Sequence, residues 1–192
     1  MPASSYGIIV EGGYDSTVYE AIIRRLASHD VHIISRPCDG RTNLTRKFPG
    51  FLETFKYVEL TGSSLDLAFV IVDADGRNPA EVEAKLRAKV AGRQYPFEVH
   101  FHAVQNAMEA WLLADAQAIS RVIHRRVGRS IARTHDAPQG LLDPKPTLTA
   151  LLEGNRIDYT PAVAGEIAHE VDPQILSARC PRFRVFADLV DC

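Results

Sequence analysis

Residues 68–76 read Ala68-Phe69-Val70-Ile71-Val72-Asp73-Ala74-Asp75-Gly76, and the folding of this stretch decides the rest. Its first five residues are apolar without a break, rich in branched side chains, and stop at a turn-forming Asp-Gly. That is the pattern of a strand covered on both faces, and it predicts a central strand of a parallel sheet. Side chains alternate along a strand, so Asp73 and Asp75 are expected to point the same way just past its carboxyl end. Open α/β sheets bind ligands at that edge. Two acids on one rim suggest a cation site.

Upstream, Tyr6 to Val10 is a second apolar run, broken at Glu11-Gly12-Gly13 and followed by Val18, Ile22, Ile23 and Leu26 at helical spacing. Asp15 or Ser16 is placed to cap that helix. Val31 to Ser35 supplies the next strand and completes a βαβ unit. Arg36 to Lys47 reads as a polar connection and Leu44 to Leu60 as a helix, with Phe51, Leu52, Phe55 and Val58 facing inward. Because the connection leaves the carboxyl end of strand two, its Arg36, Arg41, Arg46 and Lys47 are candidate contacts for substrate on the acids' rim, Arg41 and Lys47 for phosphate.

Downstream, Pro79 opens a helix whose apolar face is Val82, Leu86 and Val90. Phe97 to Val104 alternates and predicts a half-buried strand near a sheet edge. On it His100 and His102 share a face that reads as solvated, or as a metal or proton-transfer pair. Ala107 to Arg126 is expected as one helix, and beyond Gly128 only Pro-bounded helical segments follow. The expected fold is α/β: a Rossmann-like, mostly parallel four-stranded sheet flanked by helices in residues 1–115, with a helical extension, 116–192, packed on it.

At 46% apolar and 24% charged, the 192-residue chain has the make-up of an ordinary globular protein with a sizeable core. A formal net charge of −2 excludes coating nucleic acid with the whole surface and leaves room for a local basic patch. Cys38, Cys180 and Cys192 are odd in number and widely spaced, which supports neither a disulfide framework nor a zinc site. With no signal-peptide pattern and no long apolar run, the expected setting is a reducing cytoplasm, away from membranes.

Glu11 after the first strand and Asp73 with Asp75 after the third come within reach of one another if those strands are sheet neighbours. Such a cluster is costly unless a cation or a proton occupies it. Mg²⁺ suits it, because it takes carboxylate oxygens and completes its shell with water and phosphate. Asp-Gly is also a common turn. An EF-hand fails, since Ile71 and Val82 would stand at its first and last ligand positions. An aspartate-nucleophile phosphatase would carry Thr where this chain has Arg77. Gly12 and Gly13 can let backbone amides approach phosphate, or can serve only their own dihedrals. Arg121, Arg125, Arg129 and Arg133 recur every four residues, a stripe for phosphates or a solvated face.

Glu11-Gly12-Gly13 taken with Asp73-Ala74-Asp75-Gly76 resembles the Toprim domain of topoisomerases, bacterial primases and OLD-type nucleases. Three later blocks, Glu109-Ala110-Trp111-Leu112-Leu113-Ala114-Asp115, Asp143-Pro144-Lys145 and Cys180-Pro181-Arg182-Phe183, look like those of a Toprim-related family of small prokaryotic proteins linked to phage defence. The resemblance implies Mg²⁺- or Mn²⁺-dependent cleavage of nucleic acid, in phage defence or DNA repair, with an ATPase as a conceivable partner. It assigns Glu11 to acid-base work or metal binding, Asp73 and Asp75 to the ion, and Glu109 to a further acid position. Many relatives place Thr-Glu where this chain has Tyr14-Asp15, so Asp15 would act with a shorter reach. A module that binds nucleic acid or nucleotide without cutting is the alternative.

Overall fold

Strand β1 (Ser5–Val10) is buried along its whole length. The computed structural model, which describes residues 3–27, 29–58, 65–128 and 140–190, sets it beside β2 (His32–Pro37) and β3 (Leu67–Asp73). Strand β4 (Glu98–Val104) completes a four-stranded sheet in the order β2-β1-β3-β4, with every pairing parallel. Ile9 lies opposite Val70, so β1 and β3 are neighbours and their carboxyl ends share one rim. The fold is α/β, an all-parallel sheet flanked by helices and followed by a helical stretch.

Alternation along the strands sorts the core into two layers. Tyr6, Ile8 and Val10 of β1 and Leu67, Phe69 and Ile71 of β3 face helices α1 (Gly13–Leu26), α4 (Glu109–Ala114) and α5 (Ala116–Val127). Helices α6 (Pro144–Glu153), α7 (Pro161–Glu170), α8 (Pro173–Arg179) and α9 (Pro181–Val190) join this layer through residues such as Leu148, Ile167, Leu176 and Phe186. Ile9, Ala68, Val70 and Val72 face the other way, onto α2 (Arg41–Phe55) and α3 (Pro79–Ala88). Each large side chain removed from water contributes about 1.5–3 kcal/mol. At Gly7 the approach of α2 is so close that a Cβ would stand 2.6 Å from the Phe55 ring and 2.9 Å from Leu65.

Several elements differ from the expectation. The segment expected as a polar connection up to Lys47 is helical from Arg41, because Leu44, Phe48, Leu52 and Phe55 form an apolar stripe that starts earlier than Leu44–Leu60 suggests. Phe51 is only partly buried, and residues 59–60 lie outside the described residues. The expected single helix 107–126 is two, broken where Asp115 accepts hydrogen bonds from the Gln117 and Ala118 amides, both at 3.0 Å. Its other oxygen accepts from the Asp172 amide at 2.9 Å, so the break anchors the start of α8. A cap of this kind can only begin a helix.

The reading of His100 and His102 as a solvated face also fails for His102, which is fully buried. Its ring lies 5.3 Å from Phe186 and 5.9 Å from Trp111, centroid to centroid, and burial holds its pKa down to about 3. The alternation on β4 is as expected, but α9 covers the face taken for solvent. Helix α9 also seals the exposed edge of β4. Ala103 donates its N–H to Glu83 Oε1 at 2.9 Å and accepts from Arg182 Nε at 3.0 Å, while Arg182 and Glu83 pair with each other. An edge strand's free amides and carbonyls are a liability, and here side chains occupy them.

Candidate functional site

The rim shared by β1 and β3 opens into a cleft of about 300 Å³ lined by Glu11, Asp15, Asp73 and Glu109, together with Asp39, Asp143 and Lys145. Glu11 follows β1 directly, and its Oε1 accepts the Asp73 amide at 3.1 Å, tying the two strand ends together. Asp73 is the last residue of β3 and shares the face of Phe69 and Ile71, toward α1. Asp15 sits in the first turn of α1 and reaches back to accept the Gly12 amide at 2.8 Å. It therefore caps the helix from inside. Glu109, first in α4 and only 4% exposed, accepts from the Tyr159 hydroxyl at 3.1 Å. Tyr14 donates to the Tyr159 carbonyl at 3.0 Å, and Lys145 Nζ stands 4.6 Å over the Tyr14 ring.

Six of the lining side chains are acids and one is a cation. Burial pushes the Asp73 carboxyl well above the usual range, and the charges of Asp15, Glu11 and Glu109 push it further. Asp15 is raised to about 7, first by burial and then by Glu109 and Glu11, against the Gly12 hydrogen bond. Burial also raises Glu11, opposed by the Asp73 amide and by Arg41. Carboxyls crowded this way hold protons at neutral pH or take up a cation.

The donors are all hard oxygens, which is the chemistry of a Mg²⁺ or Mn²⁺ site. Among the described residues, however, no group of three or more His, Cys, Asp or Glu side chains is gathered tightly enough to hold a metal ion. Glu11, Asp15 and Glu109 each accept a hydrogen bond from a protein donor on one oxygen.

The expected site residues divide. Glu11, Gly12, Asp73 and Glu109 line the cleft. Asp75 does not point there with Asp73, because the strand ends at Asp73 and the chain turns through positive φ at Asp75 (48°) and Gly76 (75°). Alternation holds only while the backbone is extended. The Asp75 carboxylate instead meets Arg41 at 2.5 Å and Arg77 at 3.3 Å, and it lines an adjoining cleft that shares Asp143 and Ala107 with the first. Gly12 has extended backbone (φ −152°) and its amide is taken by Asp15; at Gly13 a side chain would meet open space. Neither glycine is needed for positive φ. Arg41 and Lys47 both lie on α2, and neither lines the acid cleft.

Sequence reasoning passed over Asp39 and Tyr159. Asp39 (φ 58°) follows β2 in an Asp-Gly turn, the same punctuation that marked Asp75-Gly76. Tyr159 carried no signal, since its contact with Glu109 spans fifty positions. Of the arginine stripe, Arg121 and Arg125 both pair with Glu170 across α5 and α7, and Arg129 and Arg133 lie outside the described residues. The stripe serves helix packing as far as it is described. Among the described residues, no helix is long and apolar enough to cross a membrane.

No curated protein and no solved structure matches the chain. Residues 10–191 match DUF4276, a domain of unknown function, and with nearly its whole length covered the chain belongs to that family.

Proposed function

We propose that this DUF4276 chain is a Toprim-type, divalent-metal-dependent hydrolase of nucleic-acid phosphodiesters, acting in phage defence or DNA repair. The observation that carries the reading is the meeting of Glu11, Asp15, Asp73 and Glu109 in one cleft at the carboxyl edge of a parallel sheet, with three of their carboxyls raised by burial and mutual repulsion. Asp73 and Glu11, with Asp15 and Glu109, would hold Mg²⁺ or Mn²⁺, and the ion supplies charge neutralisation at a phosphoryl oxygen. Asp15, raised to about 7, and Glu11, whose carboxyl burial also raises, are suited to accept or deliver a proton beside the scissile phosphate. Lys145, the cation on the lining, can face a phosphate oxygen. A reducing cytoplasm suits the free, buried thiols of Cys38 and Cys180.

A second reading, a module that binds nucleic acid or nucleotide without cutting it, draws on the carboxylates already committed to protein donors. A cleavage assay with Mg²⁺, Mn²⁺ or chelator separates the two, run on wild type beside Asp73→Ala and Glu11→Gln. Cleavage by wild type alone, abolished by chelator, is expected. Equal product from all three proteins, or none from any, would reject hydrolysis by this cleft.

A further inference from the structure

On the sheet face away from α1, helices α2 and α3 border two adjoining clefts of about 610 Å³ and 200 Å³ that share Arg41, Thr45 and Lys89. Their lining contains Arg41, Arg46, Arg77, Lys85 and Lys89 and no acid. The contrast with the neighbouring cleft, six acids to one cation, is the informative feature in a chain whose net charge is only −2. A row of charge on one helix is usually a solvated face. These cations instead come from two helices and a turn, and Arg41, Arg77, Lys85 and Lys89 line the smaller cleft together with Val72 and Leu86. Arg41 and Arg77 share Asp75, whereas Lys85 and Lys89 have no carboxylate partner among the described residues. Both lysines are exposed, one turn apart on the α3 side.

Arg41 joins the two regions. It lines the basic groove, pairs with Asp75 two residues beyond Asp73, and acts electrostatically on Glu11. An anion lying in the groove would thus run toward the acids, and only a ligand with repeated negative charge would engage all of the cations at once. We infer that the α2–α3 groove is the track for the phosphodiester backbone of a single nucleic-acid strand, with Lys85 and Lys89 holding phosphates that flank the one presented at the Glu11–Asp73 cleft. The choice of a strand over a small anion rests on the hydrolase reading above; the groove's affinity for phosphate does not.

The test is fluorescence anisotropy of a labelled single-stranded oligonucleotide in chelator, where binding is read without cleavage. Wild type, the double variant Lys85→Ala/Lys89→Ala and Asp73→Asn are titrated across a salt series. The double variant is expected to bind about tenfold more weakly at low salt, with a salt slope shallower by about 1.4, roughly 0.7 for each phosphate left without its lysine. Its urea transition should match wild type, since both side chains are exposed. Asp73→Asn should bind at least as well as wild type. Wild-type affinity in the double variant, or no binding by wild type at low salt, overturns the inference. Displacement by a mononucleotide at equal phosphate concentration overturns the assignment to a strand. Binding that depends on the lysines in a wild-type protein that never cuts keeps the groove and rejects only the hydrolase.

Discussion

Without metal, the acid cleft should make this protein less stable as pH rises toward neutral, the reverse of the usual behaviour of paired carboxylates. Asp15 goes from an ordinary 3.8 to about 7 in the folded chain, so the folded state holds its proton more tightly than the unfolded state does. Stability from that proton is complete below about pH 4 and is lost as pH climbs through about 7. A shift of about three units corresponds to at most about 4 kcal/mol, and about 2–4 kcal/mol once the water still reaching Asp15 is allowed for. Asp73, raised by burial and by the same neighbours, acts in the same direction. Asp15→Asn keeps an oxygen for the Gly12 amide and removes the charge. Urea denaturation in chelator should therefore find the variant close to wild type near pH 3 and about 2–4 kcal/mol more stable near pH 8. Saturating Mg²⁺ should return about 2.7 kcal/mol to wild type at a hundred times its dissociation constant. A wild type as stable as the variant at the higher pH would refute the crowding of charge on which the site rests.

Three further outcomes test the scaffold. Arg182→Ala removes the ion pair with Glu83 and the bond to the Ala103 carbonyl; a loss of about 2–4 kcal/mol is expected, with faster hydrogen exchange along β4. Gly7→Ala forces a methyl to within 2.6 Å of the Phe55 ring, costing about 1–3 kcal/mol in chemical denaturation. Asp115→Ala frees the Gln117, Ala118 and Asp172 amides together and should lower stability by about 2–4 kcal/mol, with Asp115→Asn recovering part of it.

The strands and their order along the chain were legible from local pattern alone. Ala68 to Val72 is apolar without interruption because β3 is packed on both faces, and with Glu11 just after β1 and Asp73 at the end of β3, neighbouring strands had to bring them together. The turn at Asp75-Gly76 was legible as a turn, but its direction was not. Positive φ swings Asp75 to Arg41, and that arginine lies 34 positions away in sequence. Arg41 itself was readable as a base near the rim, while its place on α2 depended on Leu44 and Phe48 finding the sheet.

What periodicity determined, then, is which stretches become the four strands and which acids end a strand, since those depend on neighbours a few positions apart; the start of α2 and the break at Asp115 were beyond it. Tertiary packing alone decided that Asp39 joins Glu11 and Asp73, that α9 buries His102, and that the bases of α2 and α3 face one groove. The physical reason is range. Burial and charge interactions act between groups brought together through space, and a side chain's chemistry is set by those partners, whatever its position in the chain.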